Sequence, residues 1–137
     1  MKRILKILAF ALPALIFILA GCAKDTTSTE NPTRNSFLGS WSVTEYYTKL
    51  TYEVIIVADP NSSDGVLISG FANTLQSGPY AGAVVAGSKI TLDANQVIGD
   101  GIKVNGSGVL SGNKITWSYT IDDGANLLTA NAVYTKI

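Results

Sequence analysis

Residues 114–121 alternate strictly between apolar and polar side chains, and this pattern constrains the fold more than any other feature of the sequence. The apolar positions hold Ile115, Trp117, Tyr119 and Ile121. The positions between them hold Lys114, Thr116, Ser118 and Thr120. Successive side chains of a β-strand point to opposite faces, so a period of two predicts a strand with one buried and one solvated face.

Short segments of similar character follow one another after residue 37, separated by turn-forming residues. The predicted strands are 41–47, 51–58, 66–71, 80–86, 89–92, 102–110, 114–121 and 127–135. Sequential hairpins build an antiparallel up-and-down meander, and closing the meander removes its unpaired edges. We predict an all-β fold of about eight strands that closes into a β-barrel, with a β-sandwich as the alternative.

The chain contains no histidine and one cysteine, and its formal net charge is 0. These counts exclude a Ser-His-Asp or Cys-His nucleophile, a histidine or multi-cysteine metal site, and a disulfide within the chain. The chain has no surplus of basic residues, so we do not expect nucleic acid as a partner. We therefore predict a protein that is not an enzyme and that uses no cofactor or metal.

The first 21 residues have the organisation of a secretory signal peptide. Lys2, Arg3 and Lys6 supply positive charge, and the uncharged run 7–20 follows them. A membrane-spanning helix needs about 20 apolar residues, and Pro13 interrupts this shorter run. The pattern predicts a cleaved signal, residues 1–21, rather than a permanent span.

The run ends in Leu19-Ala20-Gly21-Cys22, which resembles the lipobox of bacterial lipoproteins. The resemblance implies that the Cys22 thiol carries diacylglycerol, that cleavage follows Gly21, and that the new amino group is acylated, for example with palmitate. The alternative is an ordinary signal peptide with a chance cysteine. Two or three acyl chains anchor a protein firmly, so we expect membrane attachment through Cys22. The residues after Cys22 favour the outer membrane, on its periplasmic or cell-surface face.

Residues 22–36 comprise the lipidated cysteine and a polar stretch without large apolar side chains. Such a stretch buries too little surface to offset its ordering entropy, and it predicts a flexible tether. The remaining residues, 37–137, form the predicted barrel domain.

The barrel domain begins with Gly39-Ser40-Trp41, which resembles the Gly-x-Trp start of lipocalins. Residues 66–71, 89–92 with Gln96, 106–108 and 114–120 are similar to the short lipocalin-like lipoproteins of Bacteroidetes, a largely uncharacterised family. The resemblance implies a lipocalin-like barrel and an envelope location. Two features depart from true lipocalins: Lys136 is the only nearby cation for Trp41, and no C-terminal helix follows the last strand.

Aromatic and acidic side chains supply the candidate site residues. Trp41, Trp117 and Tyr119 are the candidates for ligand binding, with the alternative that they fill the barrel. Glu45 and Glu53 are the candidate carboxylates of a hydrolase, with the alternative that they are solvated surface acids. Exposed tyrosines are a further route to sugars or partners, and the candidates are Tyr46, Tyr47, Tyr52 and Tyr80.

Other polar clusters are better explained as turns than as sites. Asp59, Asn61 and Asp64 do not follow the spacing of a calcium loop. Asp122 and Asp123 precede a glycine, which is typical of a hairpin turn. The glycines of 106–108 lack the following helix of a dinucleotide site and are typical of a bulge or a tight bend.

These observations predict a lipid-anchored, extracytoplasmic and non-catalytic protein that binds a small apolar ligand or surface glycan, or serves as an accessory or interaction module. Two alternatives stay open: a carboxylate-based glycan hydrolase and a structural envelope protein with a filled barrel.

Overall fold

The structure is a computed structural model, and it describes residues 32–137. A short helix, α1 (Arg34–Phe37), precedes nine strands. The strands are β1 (Gly39–Glu45), β2 (Thr51–Ala58), β3 (Gly65–Ser69), β4 (Ala81–Ala86), β5 (Lys89–Leu92), β6 (Gln96–Ile98), β7 (Ile102–Ser111), β8 (Lys114–Asp122) and β9 (Leu127–Lys136). Short 3-10 turns lie at Phe71–Asn73 and Gly99–Gly101. In this part of the chain, no helix is both long enough and apolar enough to cross a membrane.

The strands form one closed antiparallel barrel. β1 pairs with β2 on one side and with β9 on the other, and β5 pairs with β7 to complete the circle. Eight strands build the wall, while the short β6 extends it along the first half of β7. The predicted all-β meander and its closure are confirmed, and the sandwich alternative is wrong because the sheet has no second layer.

β5 and β6 behave as one wall strand with an insertion at residues 93–95. Both pair with β7, but their registers along it differ by two residues. Where the wall is interrupted, the Gln96 side chain takes the place of a peptide group: Gly82 N–H donates to its Oε1 across 2.7 Å, and its Nε2 donates to Gly82 O across 2.8 Å. The sequence predicted no strand at β6, because turn-forming residues flank this short segment at 93–95 and 99–101.

Apolar side chains line the barrel and polar ones cover it. Along β8, Ile115, Trp117 and Tyr119 are buried, while the residues between them are exposed. This confirms the predicted alternation, which continues less strictly at the partly buried Ile121. A filled apolar interior of this kind is the main source of the fold's stability.

The helix α1 covers one end of the barrel, which we call the α1 end. Phe37 is buried there, and its carbonyl accepts a 2.8 Å hydrogen bond from Trp41 Nε1. Lys136 Nζ lies 5.2 Å from the centre of a Trp41 ring, so this lysine supplies the cation at the position where the sequence offered no arginine. The opposite end, which we call the loop end, carries the β1–β2, β3–β4 and β8–β9 connections.

The predicted tether overlaps the described residues only at 32–36, and residues 34–36 belong to α1. Arg34 begins α1, and its Nη1 donates to Ser62 O across 2.6 Å. The local reason is that Phe37 is drawn into the barrel end, which fixes the turn before it. The predicted signal peptide 1–21 and the lipidation site Cys22 lie outside the described residues.

Candidate functional site

The three binding candidates lie inside the barrel but do not form one group. Trp41 belongs to the α1 end, where it contacts Phe37 and Lys136. Trp117 and Tyr119 both lie against the ring of Phe71, which comes from the β3–β4 connection. The candidate site therefore forms around Phe71, Trp117 and Tyr119.

Phe71 fills the interior from the loop end, although it belongs to a connection and not to a wall strand. Its ring centre lies 4.9 Å from Tyr119, 5.3 Å from Trp117 and 6.4 Å from Tyr134. These separations suit edge and tilted aromatic contacts. Sequence reasoning placed Phe71 at the end of a strand, and the signal it missed was Gly70, whose φ of 74° ends β3.

The backbone that holds Phe71 in place adopts left-handed conformations. Besides Gly70, both Ala72 (φ 52°) and Asn73 (φ 59°) lie in this region. The turn is held by Thr74, whose backbone N–H and hydroxyl both donate to Phe71 O, across 3.2 Å and 2.8 Å. A left-handed residue other than glycine stores about 1–3 kcal/mol of strain, most at alanine here, and such strain often marks ligand clamps and mobile segments.

Glu45 lies inside the barrel beside this aromatic group. It is 3% exposed and is the only charged side chain among the buried residues of the range 32–137. Its Oε1 accepts a 2.9 Å hydrogen bond from the Tyr119 hydroxyl, and its Oε2 accepts a 2.8 Å hydrogen bond from Thr48 Oγ1. Its inward position follows from the alternation of β1, since it is two residues beyond Val43 and four beyond Trp41.

The second candidate carboxylate is on the other side of the wall. Glu53 of β2 is exposed and pairs with Ser42 of β1, whose side chain also points away from the core. Glu45 and Glu53 therefore lie on opposite faces of the sheet. They do not face each other across a cleft, which a two-carboxylate hydrolase requires.

Three buried polar atoms in this interior have no hydrogen-bond partner within the described residues. They are Trp117 Nε1, Tyr134 Oη and Tyr52 Oη. Trp117 and Tyr134 are almost completely buried. Buried polar groups are nearly always paired, and an unpaired one costs about 1–3 kcal/mol. Sequence reasoning did not find this group, because pairing depends on side-chain geometry that alternation does not specify.

The surroundings keep the interior tyrosines in their protonated form. Burial raises the pKa of Tyr52 to about 12. The nearby Tyr119 hydroxyl lowers this pKa, the Glu45 side chain raises it and the Asn73 backbone lowers it, although neither Tyr119 nor Asn73 makes a hydrogen bond of good geometry to Tyr52 Oη. Burial also raises the pKa of Tyr119 above its usual range, with further contributions from Tyr52, Tyr134 and Glu45. Burial likewise raises the pKa of Tyr134. All three hydroxyls are therefore protonated near neutral pH; that of Tyr119 donates to Glu45, and those of Tyr52 and Tyr134 can donate to a further group.

Small residues on β7 make room for these large rings. A Cβ at Gly108 would lie 2.8 Å from the Trp117 ring, and a Cβ at Gly106, where φ is 155°, would collide with the backbone of Ser118. The sequence predicted a bulge or a tight bend at these glycines, but the register of β7 with β8 is continuous there, and the glycines instead give room to Trp117 and Tyr119 on β8. Ala130 and Ala132 on β9 add to the space.

Other sequence candidates lie away from this interior. Tyr46, Tyr47 and Tyr80 are exposed. Tyr80 borders an external groove of about 220 Å³ on the outer face of β2 and β3. Asp59 and Asp123 cap their own turns, accepting from the backbone N–H groups of Asn61 and Asn126 respectively. Among the described residues, no group of three or more potential metal ligands occurs.

Comparison of the chain with protein-family models, curated proteins and solved structures gave no match.

Proposed function

We propose that this protein is a lipid-anchored, extracytoplasmic binding protein whose barrel takes a small, largely apolar ligand in the place of Phe71. One observation carries the proposal: a connection residue, held by a strained backbone, fills an aromatic interior that retains unpartnered polar atoms. A wall residue in this place would be fixed by the sheet. Phe71 can leave when its connection moves, and a ring-shaped ligand can then contact Trp117, Tyr119 and Tyr134.

The main competing function is a structural envelope protein whose interior is permanently filled. The same Phe71 ring supports that function if it never leaves the barrel. The glycan hydrolase has less support, because Glu45 and Glu53 point to opposite sides of the wall.

Binding of toluene, a neutral ring of the size of the Phe71 side chain, separates the two remaining functions. Calorimetric titrations would compare the wild-type chain with Phe71→Ala, and Phe37→Ala serves as a control that removes the same side chain from the α1 end. We expect saturable binding to wild type, tighter binding to Phe71→Ala because no ring must be displaced, and no gain in Phe37→Ala. Binding to Phe71→Ala alone, with none to wild type, would favour the permanently filled barrel.

The anchoring part of the proposal rests on Cys22 and its preceding residues. Mass spectrometry of the protein from bacterial membranes should find the mature chain beginning at Cys22 with a diacylglycerol thioether. Cys22→Ser should release the protein from the membrane fraction or leave its precursor uncleaved. An unmodified thiol in the native protein would contradict this part and would leave the proposal for the barrel interior intact.

A further inference from the structure

We infer that the interior site is built for an organic cation, a ligand in which an ammonium group is attached to a compact apolar ring. This inference rests on the proposed function and names the chemical class of its ligand. It depends on three features of the interior: a buried carboxyl group bound by the Tyr119 hydroxyl, a group of aromatic faces, and polar atoms without a partner in the described range.

Glu45 is a buried carboxyl group, and no cationic side chain occurs among the buried residues of the described range. Its two recorded hydrogen-bond partners are the hydroxyls of Tyr119 and Thr48, which are both neutral. Burial of a carboxylate is unfavourable unless a positive charge or several donors compensate it. The β1 alternation requires only that a side chain point inward here, and Val43 shows that an apolar residue meets that requirement. The carboxylate therefore indicates a function beyond filling the barrel.

The rings around Phe71 provide a second attraction for a cation. Tyr119 connects the two features, because its hydroxyl donates to Glu45 while its ring lies 4.9 Å from Phe71. A group that replaces Phe71 would thus contact the Tyr119 ring, whose hydroxyl binds the carboxylate. Aromatic faces attract cations, and groups of them recognise ammonium ligands. A carboxylate offers about four acceptor positions, so Glu45 can accept from an ammonium while keeping both hydroxyl partners.

The unpartnered atoms define the opposite part of the ligand. An indole N–H only donates, so Trp117 Nε1 calls for an acceptor atom. The hydroxyls of Tyr52 and Tyr134 can donate or accept a hydrogen bond, so each can pair with either a donor or an acceptor of the ligand. The ligand that satisfies this set has an ammonium group toward Glu45, a ring in the place of Phe71, and an acceptor such as an oxygen toward Trp117.

A charge series on one ring tests the inference. Phenethylamine, phenethyl alcohol and phenylacetate share a benzene ring and differ at the end of the side chain in being positive, neutral and negative. Each would be titrated into the full chain as wild type, Glu45→Gln and Glu53→Gln. The last variant is the matched control, since it removes the same charge from the outer face of the adjacent strand.

We expect phenethylamine to bind wild type and Glu53→Gln roughly tenfold to a hundredfold more tightly than the alcohol, as for a partly screened ion pair. In Glu45→Gln the amine and the alcohol should bind with about equal affinity. Equal binding of amine and alcohol to wild type, tighter binding of phenylacetate, or a preference that survives in Glu45→Gln would overturn the inference and leave the proposed function standing. Failure of all three compounds and of toluene to bind wild type would overturn the proposed function itself. If Glu45→Gln does not fold, the amine-to-alcohol ratio in wild type still decides.

Discussion

The hydroxyl of Tyr119 donates to Glu45 Oε1 across 2.9 Å, and this bond joins residues 74 positions apart in the sequence. It ties β8 to the end of β1 in the barrel interior. It also orients a carboxyl group that accepts a second hydrogen bond from Thr48 of the β1–β2 connection. The inner surface of the barrel therefore carries a carboxyl group near the loop end, and the tyrosine that binds it lies against the Phe71 ring.

Removal of the Tyr119 hydroxyl should destabilise the fold measurably. Tyr119→Phe leaves a buried carboxylate with one partner fewer, and hydrogen bonds to charged groups contribute about 1.5–3 kcal/mol. Tyr134→Phe is the matched control, because its hydroxyl has no partner among residues 32–137 and its loss should change the free energy of unfolding by much less. Urea unfolding of both variants measures the difference, and equal losses would contradict the assigned hydrogen bond.

Stability should fall at high pH because of the interior tyrosines. In the unfolded chain a tyrosine ionises near pH 10, whereas burial raises the pKa of Tyr52 to about 12 and also raises the pKa of Tyr119 and Tyr134. Below about pH 10 both states keep these protons, and the full stability is present. Above it the folded state binds more protons than the unfolded state, so each tyrosine lowers the free energy of unfolding by up to about 1.4 kcal/mol per pH unit.

Urea unfolding across this alkaline range would measure the slope. Tyr52→Phe should make it shallower, and the effect should appear only between about pH 10 and 12, where the pKa values of the two states differ. A variant slope equal to that of wild type would contradict the burial of this hydroxyl.

Gly108→Ala should disturb the Trp117 ring. The added methyl group would lie 2.8 Å from both the indole and Ile115, so one of them must move. Overpacking of this kind typically costs about 1–3 kcal/mol, and the environment of the indole should change with it. Gly112→Ala in the β7–β8 turn is the control, since its Cβ meets nothing within 4 Å and only its positive φ opposes the substitution. Tryptophan fluorescence and the unfolding midpoint check both effects, and an unchanged indole signal in Gly108→Ala would count against this packing.

Gln96→Ala should loosen the wall where β5 gives way to β6. It removes two hydrogen bonds to Gly82 and leaves one part-buried backbone N–H without its recorded partner. We expect a loss of about 1–3 kcal/mol and faster hydrogen exchange at the Gly82 amide. Gln76→Ala is the control, because its amide makes one exposed hydrogen bond to Glu53 O. Equal exchange at Gly82 in both variants would refute the role of Gln96.

Sequence reasoning predicted the barrel because alternation is a local property. The side chains of Trp117 and Tyr119 point inward for the same reason that they share a face in the sequence, and the hairpin turns fix the order of the strands. Glu45 was also within reach of that reasoning, since it has the same parity as Trp41 on β1. The general expectation that acids are solvated led to its interpretation as a surface residue.

The features that the sequence did not predict depend on contacts between residues that are far apart in the sequence. Phe71 follows an apolar run and looks like its last strand residue, and only the left-handed backbone after β3 turns it into the barrel. β6 has three residues and no pattern of its own, and it exists because β7 is long enough to pair with two strands. Trp117 and Tyr134 lie on the adjacent strands β8 and β9, with ring centres 5.6 Å apart. Whether their polar atoms find a partner depends on side-chain orientation, which no sequence spacing encodes.

The position of α1 has a consequence for how cargo would reach the barrel. α1 lies at the α1 end of the barrel, where β9 also ends. The connection that carries Phe71 lies at the loop end. A lipid attached upstream of α1 would join the molecule to the bilayer from the α1 end, through the predicted tether. The loop end would then be the end farther from the attachment point. We expect the ligand to enter there from the aqueous phase rather than from the bilayer.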